Sequence, residues 1–183
     1  MVQYQSLQKT QLLQYYGKID NWYLVVYNSI VGMVYSPYVT LKSNSTTGNT
    51  TNTTQVTDSN VALVLQLINE ARMNAGVSAL KLGTTLPKIA QLKAEDMVKN
   101  NYFAHNSPTY GTPFKMMSDY GIDYKAAGEN IAGNPDITAA VKSWLASDTH
   151  KQNLLSSAYN YIGIGIQKSE TYGYIIVAMF VGE

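Results

Sequence analysis

The sequence predicts an α+β domain, with helices packed around a small, mostly antiparallel sheet and a helical or mixed extension in front. Three features carry that prediction. Between residues 58 and 146 apolar side chains recur at helical spacing. Near the C-terminus Ile162, Ile164 and Ile166 alternate with Gly163, Gly165 and Gln167, giving one apolar and one bare face. Tyr172 to Val181 is then apolar on both faces, as a central strand covered from both sides would be. A length of 183 residues fits one ordinary domain with an appendage.

The appendage is residues 1–42, rich in tyrosine and holding a single acid, Asp20. Leu12, Tyr16, Ile19, Tyr23, Val26, Ile30 and Met33 recur at alternating steps of four and three, a heptad-like stripe that predicts a helix stopped by Pro37. The density of Val, Ile and Tyr from Trp22 to Val39 favours strands instead, and Gly17, Asn28-Ser29 and Gly32 are helix breakers. The persistence of the stripe favours the helix. Asn28 and Ser29 interrupt the apolar run, leaving it short of the ~18 residues a membrane span needs. The polar stretch before it is too long for the charged front of a signal peptide. An export signal upstream of Met1 and a native start at Met1 both fit. The apolar surface of this segment is expected to dock on the main domain or on another subunit, giving self-association through residues 1–42.

Residues 43–57 carry no charge and almost no apolar side chain, so they cannot repay the entropy of ordering and read as a linker. They contain three Asn-x-Ser/Thr acceptor sequences, at Asn44, Asn49 and Asn52, as candidate glycosylation sites in an exported protein. In so biased a composition the same triplets also arise by chance.

Residues 58–183 form the main domain. Asp58 or Ser59 caps a first helix that buries Val61, Val64, Leu65, Ile68 and Ala71 and ends near Gly76. A second starts at Thr85-Leu86-Pro87, buries Leu86, Ala90, Ala94 and Met97, and stops at Asn100-Asn101. A short third helix is predicted from Thr112 to Tyr120, closed by Gly121. The fourth opens at Asn134-Pro135-Asp136, where cap, proline and first-turn acid agree, and buries Ile137, Ala140, Val141, Trp144 and Leu145.

Composition narrows function mainly by exclusion. Net charge is +1 with acids and bases interspersed, so there is no phosphate-neutralising footprint for nucleic acid. The absence of cysteine removes thiol catalysis and thiolate metal sites. Only two histidines are present, His105 and His150, and Gly128-Glu129-Asn130 lies between them. Two imidazoles and a carboxylate form a plausible polar cluster if the fold brings them together. Each also has a structural role open to it: a histidine can satisfy carbonyls at a helix end, Glu129 and Asn130 can bond loop backbone, and Gly128 can serve an unusual backbone angle. Ser107 and Ser147 suggest a serine hydrolase, but no Gly-x-Ser-x-Gly elbow is present. Tyr110, Tyr120 and Tyr124 are expected on a cleft wall or the surface.

The chain resembles the prokaryotic branch of the CAP superfamily, the cysteine-rich secretory, antigen 5 and pathogenesis-related proteins. The resemblance rests on Leu67-Ile68-Asn69-Glu70-Ala71-Arg72, Asn101-Tyr102-Phe103-Ala104-His105, Ala127-Gly128-Glu129-Asn130-Ile131, Trp144 followed by His150, and Gly163-Ile164-Gly165-Ile166, in the family's order. It covers residues 58–183 and implies a three-layer α-β-α sandwich. It also implies that His105, Glu129 and His150 converge in a cleft, where the imidazoles could hold a divalent ion such as zinc. Two departures stand out. The secreted eukaryotic relatives are rich in disulfides, and this chain has none. The eukaryotic branch also carries a second glutamate three residues after the helix tryptophan, where this chain has Ser147.

Three functions follow as expectations. The favoured one is an extracellular or cell-surface module that binds a peptide, glycan or lipid in the His/Glu cleft, with the N-terminal segment for docking or assembly. The second is a metal-assisted peptidase using His105, Glu129 and His150, which the missing carboxylate weakens. The third is a structural subunit of a surface filament.

Overall fold

The computed structural model describes residues 14–19, 22–27, 30–35 and 52–183, with side chains from residue 59 onward. The chain divides into two compact units between Thr51 and Asn52.

In the first unit the helix expectation is overturned. Strands β1 (Gln14–Ile19), β2 (Trp22–Tyr27) and β3 (Ile30–Tyr35) form a three-stranded antiparallel sheet in sequence order. The physical reason is in β2, Trp-Tyr-Leu-Val-Val-Tyr, which has no polar position for a helix to turn toward solvent. Such a run is dense in side chains that fit a pleated surface. Two residues separate each strand from the next, Asp20-Asn21 and Asn28-Ser29, the spacing and residue types of tight hairpins.

In the second unit α1 (Asn52–Asn74) begins earlier than expected, so residues 52–57 of the predicted linker are its first turns. Asn52 is its first residue, while Asn44 and Asn49 lie outside the described residues. The short β4 (Lys81–Leu82) precedes α2 (Leu86–Lys99), α3 (Pro113–Asp119), β5 (Ala126–Asn134), α4 (Ile137–Ala146), α5 (Asp148–Leu155), β6 (Tyr161–Ser169) and β7 (Gly173–Gly182). Thr112 caps α3 by accepting from the Lys115 amide, but at α4 the cap is Asp136, which accepts from the Ala139 amide, and not Asn134; the expected caps Asp58 and Ser59 fall inside α1. At the end of α2, Asn101 takes a left-handed φ of 51°, and the Tyr102 amide returns to the Met97 carbonyl.

The sheet order is β4-β6-β7-β5, parallel only between β4 and β6. α2 and α3 cover one face, and α1, α4 and α5 the other, which makes the three layers. The bare face of β6 has a clear purpose. A Cβ on Gly163 would stand 2.3 Å from the Leu86 carbonyl carbon, and one on Gly165 2.2 Å from that of Ala90. The backbone of α2 therefore rests directly on the strand, and Ile162, Ile164 and Ile166 are left to the opposite layer. The core beneath α2 combines Ile89, Ala90, Met97, Met116 and Met117 with Ile131, Ile175, Val177 and Met179 from the sheet. No described helix is long and apolar enough to cross a membrane.

Candidate functional site

The site is built on β5, the edge strand beside β7. Its sequence, Ala-Ala-Gly-Glu-Asn-Ile-Ala-Gly-Asn, has little strand propensity, and the strand was not anticipated. It is held by register with β7 along all nine residues and by Trp144, whose buried Nε1 donates to the Ile131 carbonyl at 3.0 Å. Strand alternation sends Glu129 toward α2, paired in register with Met179, and Asn130 toward α5. Gly128 does not use an unusual backbone angle; a Cβ there would stand 2.7 Å from the hydroxyl of Tyr159, which donates to the Ala127 carbonyl at 3.1 Å.

Glu129 and His105 meet. Glu129 Oε1 lies 2.6 Å from His105 Nδ1, the carboxylate buried (side chain 2% exposed) and the imidazole open to solvent (56%). The hydrogen bond to Glu129 raises the His105 pKa above its ordinary value; burial lowers it by less, the negative charge of Glu129 adds to the rise, and Lys93 opposes it. Glu129 Oε2 is buried without a hydrogen-bond partner.

Behind this pair stands Lys93, fully buried on α2. Its Nζ donates to the His105 carbonyl and lies 5.4 Å from the centre of the Tyr102 ring. Burial pulls its pKa down, while Glu129 and Asp96 pull it back up. Asp96 organises the loop that presents His105. It accepts from Ser107 Oγ (2.7 Å), Thr109 Oγ1 (2.6 Å), Tyr102 Oη (2.5 Å) and Asn100 Nδ2 (2.6 Å). Burial alone would raise its pKa, but these four donors hold it below the usual carboxylate value. Ser107 Oγ also accepts from the Thr109 and Tyr110 amides, and its main chain bridges to Gly111, so it is a loop brace and not a nucleophile.

His150 is placed differently. It lies on α5, in the layer opposite α2, and its carbonyl accepts from Asn130 Nδ2 at 3.0 Å. Its Nδ1 lies 2.9 Å from Ser147 Oγ. Among the described residues no hydrogen bond or ion pair joins its ring to Glu129 or His105. Ser147 breaks the helix, being the last cap of α4 and the first of α5, so Asp148 opens a new helix instead of extending the old one. Among the described residues no group of three or more His, Asp or Glu side chains could hold a metal ion. Glu129 is instead spent on orienting His105.

Sequence reasoning missed Lys93 and Asp96. A signal was present, because Lys93 falls inside the apolar stripe, between Ala90 and Met97 at helical spacing. The cleft tyrosines divide: Tyr110 packs on the core, Tyr120 is exposed beneath Lys88, and Tyr124 lines a cavity with Thr84 and Asp123.

The three layers are those of a secretory-protein domain of the CAP type. The chain belongs to this family: residues 65–181 match the model of the cysteine-rich secretory protein family. It is 42% identical over 142 residues to YkwD of Bacillus subtilis, a match covering 75% of this chain and 54% of YkwD. Two solved structures share the fold. An extracellular protein containing an SCP domain from Bacillus anthracis has a TM-score of 0.67 at 22% identity, covering 91% of this chain and 59% of that one. An outer surface protein from Borrelia burgdorferi has a TM-score of 0.63 at 23% identity, covering 68% and 92%.

Proposed function

We propose that this protein is an extracellular ligand-binding module whose recognition centre is the His105–Glu129 pair. The observation that carries the reading is the pair's asymmetry. A buried carboxylate fixes one nitrogen of an imidazole whose ring is otherwise open to solvent, so His105 presents Nε2 outward in a set orientation. The partnerless Glu129 Oε2 adds an acceptor for a ligand donor or an ordered water. Location outside the cell is supported by the two structural relatives, one an extracellular protein and the other an outer surface protein.

The expected metal-assisted peptidase needs His105, Glu129 and His150 acting together, and the His150 ring on α5 meets Ser147 instead of that pair. Binding is therefore favoured over catalysis. The test is a peptide-library cleavage assay with unmodified protein, His105→Ala and Glu129→Gln. No difference among the three is expected; cleavage by the unmodified protein alone would establish a hydrolase and overturn the binding-only reading.

Self-association through residues 1–42 is a second part of the proposal, and the register of the first unit supports it. Ile19, Trp22, Leu24, Val26, Val31, Met33 and Tyr35 fall on one face of the three-stranded sheet. A sheet face of that composition needs a covering partner. Sedimentation equilibrium of the full chain and its Met33→Lys variant tests it: an oligomer that the lysine dissociates is expected, and a monomer in both cases removes it.

A further inference from the structure

A second feature of the α2 face lies farther along β5. Glu129, Ile131 and Gly133 share that face, and the far end is roofed by Tyr172, because a Cβ on Gly133 would stand 2.7 Å from the Tyr172 ring. Four residues of strand place this point ~13 Å from Glu129. There Tyr172 and Phe103 bring their rings to 5.3 Å at 37°, both more than a third exposed. They border a cavity of ≈ 760 Å³ whose apolar floor includes the buried Met97 and Ile175. Asn101, Lys168 and Glu170 also line it, and none of these three side chains has a hydrogen bond or ion pair within the described residues. Phe103 is two residues from His105, so the aromatic wall and the imidazole are presented by one segment.

We propose that this cavity is a saccharide subsite for a sugar ring bearing an acetamido group, with the same ligand extending toward the His105–Glu129 pair. Three features match that chemistry. Exposed aromatic faces take the apolar C–H face of a pyranose ring. The Met97 and Ile175 floor takes a methyl group, and the free Asn101 amide offers the donor and acceptor that an acetamide complements. A lipid chain would make no use of the Asn101 amide or of the Lys168 and Glu170 charges that line the cavity. The continuation toward His105 rests on the recognition role proposed above; the subsite itself does not.

The experiment is an amide-resonance titration of the full chain with N,N′,N″-triacetylchitotriose, with cellotriose and a blocked trialanine peptide as comparison probes. Saturable shifts are expected at residues 101–103 and 168–173 with the acetylated sugar alone. Phe103→Ala and Tyr172→Leu, the latter keeping an apolar cover on Gly133, should each weaken binding about tenfold, the scale of one lost aromatic contact. Phe114→Ala, on an exposed aromatic of α3 outside the cavity, should change nothing. Equal shifts with cellotriose, shifts with the peptide only, or none with any probe overturn the proposal. Sugar shifts at the cavity that His105→Ala does not alter keep the subsite and remove the His105 role; shifts confined to His105 and Glu129 do the reverse.

Discussion

Arg72 and Lys93 are both fully buried, on opposite sides of the sheet, and they are compensated in opposite ways. Among the described residues Arg72 meets no carboxylate. Its guanidinium donates to four carbonyls, those of Ser78 (2.7 Å), Leu154 (2.8 Å), Ser156 (2.9 Å) and Tyr159 (3.1 Å). Two of these close the end of α5, where carbonyls lack partners and a cation is favoured. Lys93 has one carbonyl, that of His105, and two carboxylates near enough to act on its charge. The difference separates a structural cation from one beside the candidate site. A cation among carbonyls staples distant segments; a cation among carboxylates sets the electrostatics of a neighbouring imidazole.

The comparison breaks most visibly at Arg72. Arg72→Met leaves four carbonyls without their donor and should cost about 4 kcal/mol, the scale for removing one partner of a buried charged network. Urea unfolding followed by circular dichroism measures it, and the His105 titration should not move. Arg72→Lys should recover only part of the loss, because a single ammonium cannot span the guanidinium's fork. Lys93→Met should cost about 3 kcal/mol by leaving buried carboxylates without their cation. Unlike the change at Arg72, it should raise the His105 pKa, since Lys93 opposes that proton; histidine-selective NMR reads the shift. A Lys93 variant with an unmoved His105 would place both cations in the same structural class.

A smaller effect is expected at Glu129. Glu129→Gln keeps a hydrogen-bond acceptor for Nδ1 and removes the charge, so the His105 pKa should fall toward the ordinary ~6.5. The same NMR titration measures it.

What the sequence made legible follows where local chemistry decides. The starts of α3 and α4 were legible at Thr112 and Asn134-Pro135-Asp136, because a short oxygen-bearing side chain satisfies an orphan amide whatever surrounds it, although Asp136 and not Asn134 makes the second cap. The alternation of Ile and Gly on β6 announced a strand with a bare face, though not that the backbone of α2 fills it. The family pieces likewise led to His105 and Glu129. Where tertiary context decides, the sequence misled or was silent. The apolar residues of β2 are contiguous, so a helical stripe could be drawn through residues that actually alternate across a sheet. β5 has alanines, glycines and asparagines where strand formers usually stand, and β7 together with Trp144 imposes its form. The stripe marks Lys93 as inward-facing, but nothing local marks Asp96, whose burial depends on a loop folding back over it from residues 102–109. The break at Ser147 was also hidden, since its neighbours Ala146 and Asp148 both suit a continuing helix.

The smallest predicted effect belongs to His105 itself, and its pH dependence gives it a distinctive form. Folding raises the His105 pKa, so the folded state binds this proton more tightly than the unfolded chain. The resulting stabilisation is complete below the unfolded pKa of ~6.5 and is lost as pH rises through the higher folded value. His105→Ala should therefore lower the denaturation midpoint most between about pH 5 and 6.5, and the gap should narrow above it. Solvent screening of a half-exposed ring keeps the difference small, so paired urea curves across that window are the suitable measurement. A gap that widens with pH would mean that the neutral imidazole is the form Glu129 holds, and the sign of Lys93's influence would need to be reassigned with it.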